Sequence, residues 1–241
     1  MKAVIMAGGE GRRLRPMSLG LPKPMVPLFD KPVMEHIIAL LRRHGFTDIC
    51  VTLCYRPQSV MEYFRDGAGL GVRLSYFIEE EPLGTAGSVK NCMEQLGEED
   101  FLVISGDAVC DLNLTQLLQF HQEKRAAATL ALYRHPAPLE YGLVLTGRQG
   151  RVQGFVEKPG WGQVVTNQVN TGIYVLSRRA MDYVPQGRAF DFGKNLFPLL
   201  LRQKEEVFGT APEGYWCDMG DCKAYLQCAA DALNKKIKLD L

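Results

Sequence analysis

The sequence predicts an α/β fold with a mostly parallel central sheet, helices on both of its faces and a smaller region of mixed sheet. Over the first half of the chain, short apolar runs alternate with amphipathic helical stretches, which is typical of a parallel sheet covered on both sides. From Ala126 onward the apolar runs follow one another with fewer helices between them, which indicates hairpins and mixed pairing. A closed eight-stranded α/β barrel is the alternative, but a barrel would keep its strand-helix rhythm to the end.

Hydrophobic periodicity gives the expected elements in chain order. Strands are predicted at residues 2–7, 48–53, 72–78, 101–105, 129–133, 143–146, 151–156 and 171–176. Beyond the first helix, helices are predicted near residues 57–65 and 85–96, from about Leu114, and at 191–202 and 221–236. Pro198 is expected to kink or divide the helix at 191–202, because proline removes a backbone donor.

The first helix shows how its ends are predicted. It has apolar residues at helical spacing along one face, namely Met34, Ile37, Ile38 and Leu41. Asp30 is expected to cap its start with Pro32 in the first turn, and Gly45 lies where a C-terminal cap belongs.

Composition and charge exclude several classes of protein. With 28 Lys and Arg against 27 Asp and Glu, the net charge is +1, too balanced for a whole-surface nucleic-acid binder or a polybasic membrane protein. The apolar run at residues 3–7 is too short for a signal peptide, and no stretch has the length of a membrane span, so we expect a cytoplasmic protein. Seven cysteines without a Cys-x-x-Cys pair and four scattered histidines favour reduced thiols over disulfides or zinc.

A long loop after the first strand concentrates positive charge. Residues 8–29 form a connection without evident secondary structure, and such loops are usually functional or disordered. Between Gly11 and Phe29 there are four cations and no acid, so the rest of the chain sums to −3; the cations are Arg12, Arg13, Arg15 and Lys23. Glycine N–H groups and arginine forks suit phosphate, although neither the dinucleotide fingerprint nor the P-loop motif is complete. A solvated basic loop is the alternative.

Eight segments, in order, resemble the signatures of the sugar-1-phosphate nucleotidyltransferases, also called nucleotide-diphosphate-sugar pyrophosphorylases. They are AGGEGRRLRP at residues 7–16, PKPM at 22–25, EPLGTAG at 81–87, SGD at 105–107, EYG at 140–142, FVEKP at 155–159, NTG at 170–172 and WCDMG at 216–220. Within that family they are most similar to the mannose-1-phosphate guanylyltransferases. Arg12 departs from the family pattern, in which threonine is common, and leaves the side-chain contact at that position open.

The resemblance implies a fold, a division of the chain and a reaction. The fold is a Rossmann-like nucleotide-binding sheet joined to a sugar-binding region, in one catalytic domain over residues 1–241. We expect a nucleotide-binding half up to about residue 125, a sugar-binding half at 126–220 and a C-terminal helix and tail at 221–241. The expected substrates are a nucleoside triphosphate, with GTP favoured, and a sugar-1-phosphate, with mannose-1-phosphate favoured. No nucleic-acid or membrane partner is expected, and a homo-oligomer is left open.

The resemblance also assigns residues. Catalytic charge comes from Arg13 and Lys23, and Mg²⁺ is held by Asp107 and Asp218. Nucleotide-binding positions are Ala7, Gly8, Gly9, Gly11, Glu79, Gly84 and Thr85. Sugar-phosphate-binding positions are Gly142, Glu157, Lys158, Asn170 and Thr171.

Three of these assignments also have reasons in the residues themselves. Asp107 follows a strand, and ligands of open α/β sheets gather at the carboxyl ends of strands. Gly84 and Thr85 open a predicted helix whose start favours an anion and which Thr85 can cap. A carboxylate at Glu79 could accept hydrogen bonds from the N1–H and amino group of guanine, which favours GTP. Asp111 is a rival metal ligand, interpreted mainly as the cap of the helix that starts near Leu114.

Two alternative functions remain open at this point. One is a glucose-1-phosphate nucleotidyltransferase that uses dTTP, UTP, CTP or ATP. The other is a non-catalytic regulatory subunit that binds nucleotide-sugar, for which the unusual Arg12 is the motive.

Overall fold

The computed structural model describes residues 1–18, 20–157, 159–160, 162 and 164–239. Its strands are β1 (Lys2–Met6), β2 (Pro27–Leu28), β3 (Lys31–Pro32), β4 (Asp48–Leu53), β5 (Arg73–Ile78), β6 (Phe101–Ser105), β7 (Ala108–Cys110), β8 (Ala128–Arg134), β9 (Leu143–Thr146), β10 (Val152–Val156), β11 (Gln168–Leu176), β12 (Val207–Thr210) and β13 (Trp216–Asp218). Its α-helices are α1 (Val33–Arg43), α2 (Pro57–Phe64), α3 (Gly84–Lys90), α4 (Met93–Leu96), α5 (Leu114–Lys124), α6 (Phe197–Arg202) and α7 (Cys222–Leu233). The predicted α/β class is confirmed, and all eight predicted strands are present. None of the helices in the described ranges is long and apolar enough to cross a membrane.

The chain forms two compact units that interleave along the sequence. The first unit comprises Met1–Pro82, Ile104–Asn113 and Glu213–Leu241, and the second comprises Leu83–Val103 and Leu114–Pro212. Strand β6 contributes residues to both. The assignment of a nucleotide-binding and a sugar-binding half stays a prediction.

Parallel pairing in the first unit aligns the ends of three strands. β1 pairs with β4, and β4 pairs with β5, in registers that set Met6 against Thr52 and Leu53 against Ile78. The apolar side chains of β1 and β4 are buried, with three fully buried residues in a row in β1, whereas β5 is more exposed and ends at the exposed Ile78. The segments that follow β1, β4 and β5 therefore start at one edge of the sheet, where ligands of α/β proteins bind.

The second unit is mostly antiparallel. β11 pairs with β8 and β9, and β9 pairs with β10, while β12 adds to β8 in parallel. The pairing of β11 with β8 shifts between Asn170 and Tyr174. The mixed pairing that the sequence predicts from residue 126 onward is confirmed.

The ends of the helices confirm some predictions and correct others. Gly45 has φ +82° directly after the helix-terminating His44, as predicted for a C-terminal cap. The predicted cap at Asp30 is wrong, because Pro32 pairs with Pro27 in a short hairpin and α1 begins at Val33 without a side-chain cap. Pro198 lies in the first turn of α6, which follows a wider turn at Phe192–Leu196, so the predicted division is confirmed.

Several short elements escaped the sequence analysis. The helix predicted at residues 85–96 is two helices, α3 and α4. The strands that were missed are β2, β3, β7, β12 and β13. Each has two to four residues, too few to show an alternating pattern.

Candidate active site

Three residues that are far apart in the sequence meet in the first unit. Lys23 lies in a tight turn at Lys23–Met25 and is 8% exposed. Its Nζ donates one hydrogen bond to Asp107 Oδ2. It donates a second hydrogen bond to Asp218 Oδ1, with 3.3 Å between the two atoms. The structure thus brings together one of the two predicted catalytic cations and both predicted metal ligands.

Backbone pairing holds the two carboxylates side by side. Asp107 lies between β6 and β7, and Asp218 ends β13, which pairs with β7 so that Asp218 faces Ala108. The Gly106 N–H donates to Met6 O at 2.8 Å, and a Cβ at Gly106 would lie equally close to that oxygen. Glycine is therefore needed at position 106 for Asp107 to approach the end of β1.

Burial and charge act in opposite directions on the three groups. Burial alone would lower the pKa of Lys23, but the two carboxylates and their hydrogen bonds raise it above its usual value. Burial would raise the pKa of Asp107, but the Lys23 charge and hydrogen bonds from Lys23 and Ser105 hold it below its usual value. Burial and the charge of Asp107 raise the pKa of Asp218, against the effect of Lys23. One ammonium group is therefore shared by two partly buried carboxylates.

The donor set suits a hard divalent cation. Mg²⁺ binds through one or two carboxylates and completes its shell with water and phosphate oxygens. Asp107 and Asp218 converge on a single cationic group, so their oxygens can also face one metal ion. Among the described residues, no cluster of three or more His, Cys, Asp or Glu side chains forms a separate metal cage.

The rival ligand Asp111 has a structural task instead. Its Oδ1 accepts from the Tyr215 N–H at 2.6 Å, and its Oδ2 accepts from the Lys238 N–H at 2.8 Å. Both oxygens hold backbone of the C-terminal segment, so the expected role as a cap for α5 is wrong. The signal that could have revealed this, strand β13, was too short to predict.

The glycine loop, which comprises residues 8–11, packs directly against Lys23. The Gly9 carbonyl accepts from the Lys23 N–H at 3.1 Å. Gly11 has φ +72°, and a Cβ there would lie 3.0 Å from Lys23 Cβ, so both its conformation and its surroundings require glycine. Gly8 borders Cys54, and the Ala7 N–H already donates to Thr52 O at 2.9 Å.

Only part of the loop's positive charge is directed at the carboxylates. Arg13 approaches Asp218, and its positive charge opposes the rise in the Asp218 pKa. A Cβ at Gly220 would lie 3.2 Å from Asp218 Oδ2 and 3.5 Å from Arg13 Nη2, so both side chains border this glycine. Arg12 and Arg15 instead pair with Glu10, at 2.5 Å and 2.9 Å. Glu10 lies just before the segment counted as +4, so the sequence count overstated the free charge of the loop.

Glu79 lies at the same edge of the sheet. It directly follows β5, is 8% exposed, and its N–H donates to Leu53 O at 2.8 Å. Burial, followed by the charge of Glu79, raises the pKa of the neighbouring Cys54 thiol. A largely buried carboxylate therefore lies near Cys54, which itself borders Gly8.

In the second unit, the start of α3 is satisfied by the protein itself. The Thr85 N–H and hydroxyl donate to Asp191 Oδ1 at 3.1 Å and 3.3 Å, and the hydroxyl accepts from the Phe192 N–H at 2.9 Å. Gly84 has φ +69° and lies against Phe190, whose carbonyl accepts from the N–H groups of Ala86 and Gly87. Thr85 does not cap the helix, and an anion at this helix start would have to compete with Asp191.

Three of the predicted sugar-binding positions lie together in the second unit. A Cβ at Gly142 would lie 2.9 Å from Glu157 Oε2, so the Glu157 carboxylate borders this glycine. The Asn170 N–H donates to Gly142 O at 2.8 Å. The Asn170 side chain is fixed at both ends, because Oδ1 accepts from Gly172 N–H at 3.1 Å and the amide binds the buried Tyr174 hydroxyl.

The structure describes one of the other two predicted positions. Thr171 is 2% exposed, and its hydroxyl donates to Ala131 O at 2.7 Å, so it stabilises the sheet. Lys158 lies outside the described residues. Gly193 and Tyr174 border the group although neither was singled out in the sequence, because a buried tyrosine and a lone glycine give no motif signal.

Known proteins resemble this chain over nearly its whole length. A mannose-1-phosphate guanylyltransferase from Mycobacterium tuberculosis is 36% identical over 95% of this chain and 64% of its own length. A UTP–glucose-1-phosphate uridylyltransferase from Synechocystis sp. is 37% identical over 99% of this chain and 65% of its own length. The chain therefore spans slightly less than two thirds of these two relatives.

Solved structures and a family model agree with these relatives. The structure of HddC from Yersinia pseudotuberculosis complexed with GMP-PN has a TM-score of 0.82 and 25% identity, over 96% of this chain and 99% of that one. The family model described as nucleotidyl transferase matches residues 2–235. This range includes the glycine loop and the Lys23 cluster, which consists of Lys23, Asp107 and Asp218. The chain belongs to the nucleotidyl transferase family.

Proposed function

We propose that this protein is a Mg²⁺-dependent sugar-1-phosphate nucleotidyltransferase that joins GTP and mannose-1-phosphate into a nucleotide-sugar. In this reaction an oxygen of the sugar phosphate attacks the α-phosphorus of the triphosphate, and pyrophosphate leaves. The observation that carries the proposal is the contact of Lys23 with Asp107 and Asp218, beside the glycine loop. Phosphoryl transfer of this type depends on positioned charge more than on a protein nucleophile.

The side chains of the first unit have distinct tasks in this reaction. Lys23 is a compact ammonium group kept charged by its carboxylate partners, and it neutralises oxygens of the α-phosphate and of the incoming sugar phosphate. Arg13 provides a planar fork of donors for the remaining phosphates of the nucleotide. Gly8, Gly9 and Gly11 let the backbone approach the nucleotide closely.

Asp107 and Asp218 are the residues that would hold Mg²⁺. When bound, the ion neutralises charge on the phosphate oxygens and helps to orient the reacting groups. Ser105 donates a hydrogen bond to Asp107 Oδ1 while Lys23 binds Oδ2, so both oxygens of this carboxylate are oriented by the protein.

Base selection rests on the buried Glu79 carboxylate, and sugar selection rests on polar groups that are more exposed. Glu79 accepts hydrogen bonds from the N1–H and amino group of guanine, whereas uracil would present a carbonyl oxygen to one of its carboxylate oxygens. Gly84 and Thr85 are nucleotide positions on the strength of the resemblance alone, since the Thr85 N–H and hydroxyl already donate to Asp191. For the sugar, Glu157, Asn170 and Gly142 offer hydroxyl partners and space, and Lys158 pairs with the sugar phosphate.

UTP with glucose-1-phosphate is the second candidate pair. The 37% identity to a UTP–glucose-1-phosphate uridylyltransferase favours it as strongly as the 36% identity to a mannose-1-phosphate guanylyltransferase favours the first pair. A non-catalytic nucleotide-sugar-binding subunit gains less support, since Arg12 is 80% exposed and pairs with Glu10.

A substrate matrix tests the proposal. Pyrophosphate release is measured with GTP, ATP, dTTP, UTP and CTP, each combined with the 1-phosphates of mannose, glucose and N-acetylglucosamine in the presence of Mg²⁺. We expect the highest kcat/KM for GTP with mannose-1-phosphate. A clear preference for another pair rejects the substrates but keeps the reaction, and folded protein that is inactive with every pair rejects the enzyme.

A further inference from the structure

Two cysteine side chains lie close enough to influence each other next to the cluster of Lys23, Asp107 and Asp218. Cys217 lies in β13, directly before Asp218, and Cys228 lies in α7. Cys217 Sγ is 3.7 Å from the carbonyl oxygen of Ala224, which is one helical turn before Cys228. Because a helical side chain covers the turn that precedes its own Cα, this second contact also puts the two sulfur atoms side by side.

The two thiols differ in their access to solvent. Cys228 is fully buried, and Cys217 is half-buried. All seven cysteines of the chain lie in the described residues and are free thiols. A small oxidant would therefore meet Cys217 first, with Cys228 behind it as the second sulfur.

We propose that Cys217 and Cys228 form an oxidation site that hydrogen peroxide converts from two thiols into a disulfide. The Cys217 sulfur attacks one peroxide oxygen, the O–O bond breaks, and the departing hydroxide takes up the thiol proton to become water. The Cys228 sulfur loses its proton and attacks the sulfenic sulfur of Cys217, which releases a second hydroxide and hence a second water. Two thiols lose two electrons in total, and one peroxide is reduced to two waters.

The bond would disturb the residue that follows Cys217. A disulfide holds its sulfur atoms about 2.05 Å apart, closer than two thiols in hydrogen-bond contact, so β13 or α7 has to move. The bonds at the two ends of α7 lie within the helical segment itself, where Asp221 caps the start and Asp231 accepts bonds from Gln227 and Lys236. These bonds stiffen the twelve-residue helix, so we expect the shorter, three-residue strand β13 to shift, and with it Asp218, which contacts Lys23.

The chemistry and its consequence are tested separately. Loss of activity on oxidation rests on the proposed function, whereas formation of the disulfide does not. Trypsin divides the region into a peptide at residues 205–223, which contains Cys217 and Cys222, and one at 224–235, in which Cys228 is the sole cysteine. A disulfide to Cys228 therefore joins two tryptic peptides, with a mass two hydrogens below their sum.

The experiment treats the full chain with hydrogen peroxide, blocks remaining thiols, and measures both the joined peptide and pyrophosphate release. We expect the joined peptide in wild type and in Cys222→Ser, and its absence in Cys228→Ser. Turnover should fall about tenfold or more in the first two proteins, return with dithiothreitol, and persist in Cys228→Ser, because small displacements at such sites cost large factors in rate.

Each other outcome rejects a defined part of the proposal. Absence of the joined peptide in oxidised wild type overturns the oxidation site, and so does its loss in Cys222→Ser, which would make Cys222 the partner. A joined peptide with unchanged turnover overturns the link to Asp218. If untreated protein shows no turnover, the proposed function fails, and the peptide measurement still decides whether the two thiols react.

Discussion

Replacing Lys23 by methionine would leave two buried carboxylates without their shared cation. Lys23 is 10% exposed as a side chain, and Asp107 and Asp218 are each 26% exposed. Removal of one partner from a buried ion pair costs about 3 to 5 kcal/mol, and the partial exposure of the carboxylates favours the lower end. For a chain of this size each kcal/mol lowers Tm by about 2 to 4 °C, so we expect a decrease of about 6 to 12 °C at neutral pH.

The loss should depend on pH in a defined direction. Without Lys23, burial and mutual repulsion raise the pKa values of both carboxyls in the folded state. A group with a raised folded pKa binds more protons when folded, so the variant loses stability as the pH rises above about 4, the ordinary carboxyl pKa. In wild type the lowered pKa of Asp107 acts oppositely, because its stabilising effect is lost as the pH falls towards that pKa, and Lys23 limits the rise in the Asp218 pKa. The difference in Tm between the two proteins should therefore be larger at pH 7.5 than at pH 5.

Thermal unfolding without divalent cations, followed at both pH values, measures this effect. Lys90→Met is the matched control, because Lys90 is half-buried and donates to the Met181 carbonyl rather than to a carboxylate. We expect the control to show a smaller loss without the pH dependence. A Lys23→Met protein as stable as wild type at pH 7.5, or one whose difference in Tm from wild type is no larger at pH 7.5 than at pH 5, would refute the electrostatic reasoning.

Three further variants test the remaining parts of the site. Asp218→Asn should lower turnover about a hundredfold and raise the Mg²⁺ concentration needed for half-maximal activity. Asp111→Asn should leave that Mg²⁺ concentration unchanged, and an equal increase in both variants would contradict the metal assignment. Glu79→Gln should reduce the ratio of kcat/KM for GTP over UTP about tenfold by removing a guanine acceptor, with exposed Glu80→Gln as control, and an unchanged ratio would exclude Glu79 from base selection. Gly11→Ala and its control Gly45→Ala should each cost about 1 to 2 kcal/mol of stability, because both glycines have a positive φ. The Cβ at position 45 meets no atom within 4 Å, whereas the Cβ at position 11 crowds Lys23, so only Gly11→Ala should also lose turnover. Equal turnover in the two variants would reject that contact.

The sequence predicted the long elements of the fold because their burial is periodic. Strands β4 and β6 have the predicted bounds, and Gly45 ends its helix in the left-handed conformation. The ends set by tertiary contacts were not predictable in this way. Asp30 has the chemistry of a helix cap, but the hairpin that pairs Pro27 with Pro32 starts the helix without it.

The site residues also divide into those that the sequence predicted and those whose contacts depend on distant segments of the chain. The resemblance singled out Lys23, Asp107 and Asp218, which do meet, because a motif marks positions that many sequences share. It could not tell which hydroxyls are already used by the protein. Thr85 and Thr171 both belong to motifs, yet their hydroxyls bind Asp191 and the Ala131 carbonyl, contacts that depend on segments distant in the chain.

Charge accounting around Lys23 gives a reason why the proposed triphosphate site would use a metal ion. Glu10 cancels one of the two charges of Arg12 and Arg15, and the net charge of +1 that these three residues leave lies on exposed arginine side chains, where solvent and salt screen it. Lys23 with two ionised carboxylates sums to −1, and Arg13 brings the cluster to zero. A neutral cluster does not hold a triphosphate by charge alone, since that group carries several negative charges and loses hydration on binding. The two carboxylates that cancel Lys23 are also the oxygen ligands that Mg²⁺ prefers, so the same residues that remove the excess charge of the protein can recruit the cation that restores it.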